Sequence, residues 1–189
     1  MTRRYTELTF TDDVKQAQEE HGFRSSAQRM EEVPVEDTRL DPPTADFITQ
    51  RDSFYMATVT QDGWPYMQHR GGPRGFLKVL DEGTLAFADY SGNRQLVSTG
   101  NLKGDDRAAL FFMDYPNRRR LKLMAHVEVH RADERPDLVE QVEDPDYRAR
   151  IERVFVLRVE AFDWNCPQHI TPRYTVDELG MIEGTEQQS

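Results

Sequence analysis

Arg120-Leu121-Lys122-Leu123-Met124-Ala125-His126-Val127-Glu128-Val129-His130 is the stretch that decides the fold class. Leu121, Leu123, Ala125, Val127 and Val129 fall on one side of a two-residue repeat, and Lys122, Met124, His126, Glu128 and His130 on the other. Successive side chains on a strand point to opposite faces, so this period predicts a half-buried β-strand with the first set turned inward. Just upstream, every residue from Ala108 to Met113 is apolar, which predicts a central strand covered on both faces. Downstream, Val154 to Phe162 predicts the last strand.

Further toward the N-terminus the strands are shorter. Phe54 to Thr60 and Trp64 to Arg70 flank Gln61-Asp62-Gly63, and Asp-Gly is a strong hairpin signal. Phe76 to Asp81 and Thr84 to Ala88 predict a second hairpin around Glu82-Gly83. The helical signals are fewer. Thr11-Asp12-Asp13 predicts a cap for a helix through Val14 to Glu20, ended by Gly22. A second piece is expected over Ser26 to Glu32. Asp41-Pro42-Pro43-Thr44 reads as a stop followed by a cap, opening a helix through Ala45 to Gln50. A short helical segment follows the loop after Tyr90, and a charged helix is expected over Asp133 to Val142. No internal repeat is present. Many short strands with few helices predict a mainly β protein with flanking helices, a small barrel in place of a βαβ sheet. The expected organisation is an N-terminal helical extension over 1–50 and a barrel domain over 51–189.

Composition narrows the function. The 189 residues suffice for one domain with a real core. Hydrophobic residues make up 37% and charged residues 31%, with a mean hydropathy of −0.78, which suits a small core sharing burial with a partner subunit. A net charge of −10, from 24 Lys+Arg and 34 Asp+Glu, argues against a nucleic-acid or anionic-membrane partner. No apolar stretch reaches the length of a membrane span, and Met1-Thr2-Arg3-Arg4 leads into no signal-peptide core, so a cytoplasmic protein is expected. The single cysteine, Cys166, excludes an internal disulfide and a Cys-based zinc cage. His126 and His130 share a strand face about 13 Å apart, too far to share a metal. Nucleophile-elbow, zincin, Walker and dinucleotide-binding signatures are all absent.

Four polar loops stand at strand ends. Gln68-His69-Arg70-Gly71-Gly72-Pro73-Arg74-Gly75 combines glycines that permit close approach of a ligand with two arginines that suit an anion, or is a plain hairpin loop. Asp89-Tyr90-Ser91-Gly92-Asn93-Arg94-Gln95 leads into a helical turn, where an arginine and free N–H groups can hold a phosphate. Asn117-Arg118-Arg119-Arg120 is a basic run in an acidic chain, either a solvated turn or a local anion site. Phe162 to Tyr174 packs Trp164, Asn165, Cys166, Gln168, His169 and Arg173 after the last strand, a mixture suited to the edge of a flat polar ligand or to a strap over the barrel end.

Taken in this order, the loops resemble the pyridoxamine 5′-phosphate oxidase-like family of FMN-binding split barrels, from about Phe54 to Tyr174. The most specific parts are Leu85 to Gln95, the strand from Arg120, and Trp164 to Arg173. The resemblance implies FMN as cofactor and a homodimer with FMN at the subunit interface. It implies that Arg70 and Gly71 pass beside the flavin ring, that Ala88 and Asp89 flank the ribityl chain, and that Asn93, Arg94 and Gln95 clamp the phosphate. The family often has Lys where Gln95 stands, and Lys78 or Arg74 is expected to supply the missing charge. Arg120 from the second subunit and the pair Trp164 and Arg173 are expected near the ring, where a positive charge stabilises the reduced anion. The substrate motif of pyridoxamine phosphate oxidase itself is missing, which argues against vitamin B6 oxidation. The expected function is an FMN-dependent oxidoreductase on a small-molecule substrate. Alternatives are a non-catalytic FMN carrier or redox sensor, or a haem or tetrapyrrole binder with His69 or His169 as axial ligand.

Overall fold

A computed structural model describes residues 3–32, 39–164 and 166–180. Pro34, expected to follow the second helical piece, lies outside the described residues, as do Asn165 and the segment 181–189 of the expected barrel domain. Among the described residues, strands β1 (Ser53–Val59), β2 (Pro65–Gly71), β3 (Leu77–Asp81), β4 (Thr84–Tyr90), β5 (Arg107–Asp114), β6 (Arg119–Arg131) and β7 (Ile151–Trp164) form one sheet in the order β2-β1-β5-β6-β7-β4-β3. All neighbours are antiparallel. Both expected hairpins form, and β6 buries Leu121, Leu123, Ala125 and Val127 as its alternation requires. A bulge against β7 between Met124 and Ala125 bends this long pair.

The bend closes the sheet into a split barrel. β1 and β4 are separated by three strands in hydrogen-bonding order, yet the Phe54 ring on β1 stands 5.4 Å from the Phe87 ring on β4. Phe76, ahead of β3, stacks on Phe54 at 5.6 Å, and Phe155 of β7 stacks on Phe87 at 4.9 Å. Twisted strands curl until the two ends of the sheet share one apolar core. The seam between those ends carries no backbone ladder.

The helices are α1 (Arg3–Thr9), α2 (Asp12–Glu20), α3 (Arg24–Glu31), α4 (Pro42–Thr49), α5 (Val97–Gly104) and α6 (Pro136–Val142). Thr11 caps α2 as expected, its hydroxyl accepting from the Val14 N–H, and Gly22 follows the helix at φ +67°. In α4 the cap is Asp41, not Thr44: the Asp41 carboxylate accepts from the Thr44 N–H at 3.0 Å. Pro42 and Pro43 are then helical residues, at positions whose N–H would lack a helical partner in any case. Phe47 and Ile48 of α4 are buried in the barrel core. Helix α1 has no clear signal in the sequence and is held by burial of Tyr5 and an ion pair from Arg4 to Glu160 on β7. No helix among the described residues is long and apolar enough to cross a membrane.

One strand departs from expectation. Ala108, Leu110 and Phe112 of β5 are buried, but Ala109 is exposed and Phe111 and Met113 are only half-buried. Among the described residues their face, which continues onto Tyr55, Val59 and Met67 of β1 and β2, is only bordered by Tyr5 of α1 and stays largely open. Removing the ring that joins the two ends of the sheet should be costly. Phe54→Ala is expected to lower the unfolding free energy by about 3–5 kcal/mol, read from urea melts.

Candidate cofactor site

The site is built where the seam needs charge. Along β2 the pleat turns Tyr66, Gln68 and Arg70 toward the barrel and Met67 and His69 away from it. Arg70, with its side chain 13% exposed, lies 5.0 Å from the Phe155 ring and 5.7 Å from the Phe87 ring. Its Nη1 donates to Asp89 Oδ1 on β4 at 2.6 Å. The other oxygen of Asp89 accepts from Arg153 Nε of β7 at 2.7 Å. Asp89 and Arg153 are directly opposite in the β4–β7 register. Arg153 Nη2 donates to Glu152 at 3.0 Å, and Glu152 accepts at its other oxygen from Arg94 Nη2 at 3.1 Å. The result is a continuous alternation of charge: Arg70, Asp89, Arg153, Glu152, Arg94. Burial pulls the Arg70 guanidinium down from its usual range, against the attraction of Asp89. The Ser91 hydroxyl, then the nearby guanidinium groups of Arg94 and Arg153, hold Glu152 below the ordinary carboxylate range.

This ladder borders a cavity of about 270 Å³ lined by Gln68, Arg70, Asp89, Asn93, Arg94 and Arg153 on one side. The first turn of α5, Val97-Ser98-Thr99, completes it. No side chain caps α5, so its first N–H groups are available to an anion. The approach loop holds Arg94 at φ 58° and Leu96 at φ 56°, a left-handed geometry uncommon outside glycine and concentrated at binding sites. Arg70 Nε is buried with no hydrogen-bond partner among the described residues. A smaller recess of about 130 Å³ adjoins, bordered by His69, Arg70, Gly71, Ala88 and Asp89.

A second, larger cavity of about 670 Å³ opens on the opposite face of β2, on the apolar side of β1, β5 and β6. Met67, Phe111 and Met124 contribute apolar surface, and Arg120, Lys122 and Arg173 contribute charge. Arg120 Nε is buried without a partner among the described residues, and the Arg173 guanidinium lies 4.9 Å from the Tyr115 ring.

The structure therefore brings Arg70, Asp89, Asn93 and Arg94 together, with Gly71 and Ala88 beside them. It places Arg120 and Arg173 together elsewhere. Gln95 borders neither cavity, its N–H donating to Asn93 Oδ1 at 3.1 Å. Lys78 and Arg74 border neither cavity, and the cation beside Arg70 and Arg94 is Arg153. Trp164 packs edge-on against Phe47 at 4.6 Å and donates from Nε1 to Thr44, which fixes α4 to the barrel. The glycine loop also has an internal use. Gly72 and Gly75 donate to the carbonyls of Asp52 and Arg51, and a Cβ on Gly72 would sit 2.8 Å from Phe76. Arg153, Glu152 and Ser98 escape sequence reading, because Arg153 gains its meaning only from the strand register that sets it opposite Asp89.

The sequence profile described as pyridoxamine 5′-phosphate oxidase matches residues 40–165, more than half of the chain. The chain belongs to the pyridoxamine 5′-phosphate oxidase family. No curated protein matches it in sequence. A candidate pyridoxamine 5′-phosphate oxidase from Lactobacillus delbrueckii is similar in structure, with a TM-score of 0.52 and 23% identity over 68% of this chain and 97% of that one. The Group A Streptococcus protein HupZ is similar with a TM-score of 0.51 and 13% identity, covering 71% of this chain and 99% of its own. At these identities the likeness is one of fold. In this member of the pyridoxamine 5′-phosphate oxidase family the barrel seam is closed by Arg70, Asp89 and Arg153. Asp89→Asn leaves two half-buried guanidinium groups without their shared anion. It is expected to lower the unfolding free energy by about 3–5 kcal/mol in urea melts.

Proposed function

We propose that this chain is an FMN-dependent oxidoreductase acting on a small-molecule substrate as a homodimer with two flavin sites. One observation carries the reading: three guanidinium groups and an uncapped helix N-terminus converge on one cavity at the barrel seam. That donor set fits a phosphate monoester, and the unpartnered Nε of Arg70 leaves a buried donor for a ligand to satisfy. Arg70, Arg94, Ser98, Thr99 and the first N–H groups of α5 would hold the phosphate. Gly71 and Ala88, at the adjoining recess, would allow the rest of the cofactor to lie close to the backbone. When bound, FMN supplies the electron transfer, and the protein supplies binding, orientation and electrostatics.

The dimer is inferred from the second cavity. Arg120 and Arg173 open on the opposite face of β2 from Arg94, so the two sets meet one flavin most directly when they come from different subunits. The face that bears them is apolar and uncovered, with Met67 66% exposed and Tyr55 and Val59 each 38% exposed. A second copy seated there would bury them and give β5 the cover that its composition calls for.

Two measurements test the reading. The purified protein should bind FMN more tightly than riboflavin, and Arg94→Ala should weaken FMN by roughly ten- to a hundredfold while leaving riboflavin unchanged. Equal affinity for both flavins would remove the phosphate cradle, and binding of neither would end the flavin reading. For the dimer, Arg94→Ala and Arg173→Ala chains refolded together should recover about a quarter of the tight sites, the fraction set by random pairing in a two-fold dimer. No recovery would place the whole site within one subunit. Turnover of NAD(P)H or another reductant by the FMN-loaded protein is expected of the enzyme, and its absence would favour a carrier.

A further inference from the structure

We infer that Glu152 sets the strength and selectivity of the phosphate cradle by occupying Arg94 until a phosphate displaces it. The inference takes the ligand's identity from the flavin reading, while the exchange itself concerns any phosphate monoester.

The ladder contains three guanidinium groups and two carboxylates, a net charge of +1 beside the cavity. A phosphate monoester carries about −1.5 to −2 at neutral pH. The cradle therefore has too little free positive charge to match its guest unless one internal pair opens. The inner pairs are poor candidates. Arg70 and Arg153 side chains are 13% and 16% exposed and share the two oxygens of Asp89, whose side chain is 9% exposed. Breaking either pair leaves a buried charge unmatched, which is strongly unfavourable.

The outer pair is different. The Arg94 side chain is 68% exposed and holds Glu152 by one contact, from Nη2. Glu152, at 13% exposure, has an alternative: Arg153 donates to its other oxygen. Arg94 can thus turn from Glu152 to a phosphate in the cavity it already borders, and Glu152 keeps the Arg153 guanidinium as donor. What remains is repulsion between the Glu152 carboxylate and the incoming phosphate. Glu152 acts as a built-in competitor: it steadies Arg94 in the free protein and weakens the bound state. Its negative charge acts on a charged phosphate and not on a neutral flavin, so it narrows the margin between FMN and riboflavin.

The test is Glu152→Gln, which keeps the shape and much of the hydrogen bonding but removes the charge. Flavin titrations at fixed pH and low salt should show FMN bound roughly three- to tenfold more tightly than by the unaltered protein, with riboflavin unchanged. The gain should shrink when Arg94→Ala is added, to the part that comes from direct repulsion alone. Inorganic phosphate, titrated by calorimetry, serves as a second probe that does not depend on flavin. A protein that binds phosphate but no flavin would remove the FMN reading, and the tighter phosphate binding of Glu152→Gln would still support the competitor. Equal or weaker binding of both FMN and phosphate by a folded Glu152→Gln protein, checked by its thermal melt, would overturn it and leave Glu152 as a residue that positions Arg153. Binding of neither FMN nor phosphate by either protein would overturn both readings. If Glu152→Gln does not fold, crystals of the unaltered protein with and without phosphate decide: Arg94 should leave Glu152 for the ion, and an intact Arg94–Glu152 pair beside bound phosphate would refute the exchange.

Discussion

Arg70, Asp89 and Arg153 join three strands at the barrel seam, which carries no backbone ladder among the described residues. β2 and β4 are not neighbours in the sheet, so nothing in the hydrogen-bonding order holds them together. The apolar rings of Phe54, Phe76, Phe87 and Phe155 draw the two ends of the sheet toward one core. The ion ladder then closes the gap above those rings, with Arg70 lying against Phe87 and Phe155. Burial weakens each charge's contact with water, so the ladder is tolerable only because each buried charge has a partner close by. A cavity at this seam is a consequence of the same arrangement, since the seam ends in polar groups and the first turn of α5.

The two faces of β2 divide the functional surface. The inward set, Gln68 and Arg70, belongs to the charged cavity, and the outward Met67 belongs to the apolar side, while His69 borders the small recess beside Arg70. One strand with a two-residue period thus borders a charged cavity and an open apolar surface at once. Arg120 and Arg173 stand on the uncovered side, and this separation is the reason a second subunit enters the functional reading. Elsewhere, arginine serves packing. Arg51 donates to the Phe47 and Met113 carbonyls and pairs with Asp114, and Arg119 lies over Phe47 and Trp164. These groups fasten α4 to the barrel, so the density of polar and aromatic residues near Trp164 reflects anchoring of a helix as well as proximity to a candidate site.

Much of this was legible in the sequence. Local periodicity determined the strands: the alternation from Leu121 to Val129 needs only the geometry of a pleated chain, and Gln61-Asp62-Gly63 needs only the preferences of a three-residue hairpin loop with glycine at positive φ. Family resemblance singles out Arg70, Asp89, Asn93 and Arg94 as candidate cofactor residues, and the structure gathers those four around one cavity. The cap of α4 was misplaced because Asp41 and Thr44 are both good caps, and only the backbone angles choose between them. Sequence could not reveal Arg153 or Glu152 as members of the ladder, since a charged pair at the start of a strand looks like solvated surface until its neighbour is known. Only the resemblance separated Arg120 from Arg94, by assigning Arg120 to the second subunit, because side-chain type does not say which face of a closed sheet a residue reaches. Strand register and barrel closure are long-range properties, set by how the whole sheet twists around its core, and they alone decided which arginines share a cavity.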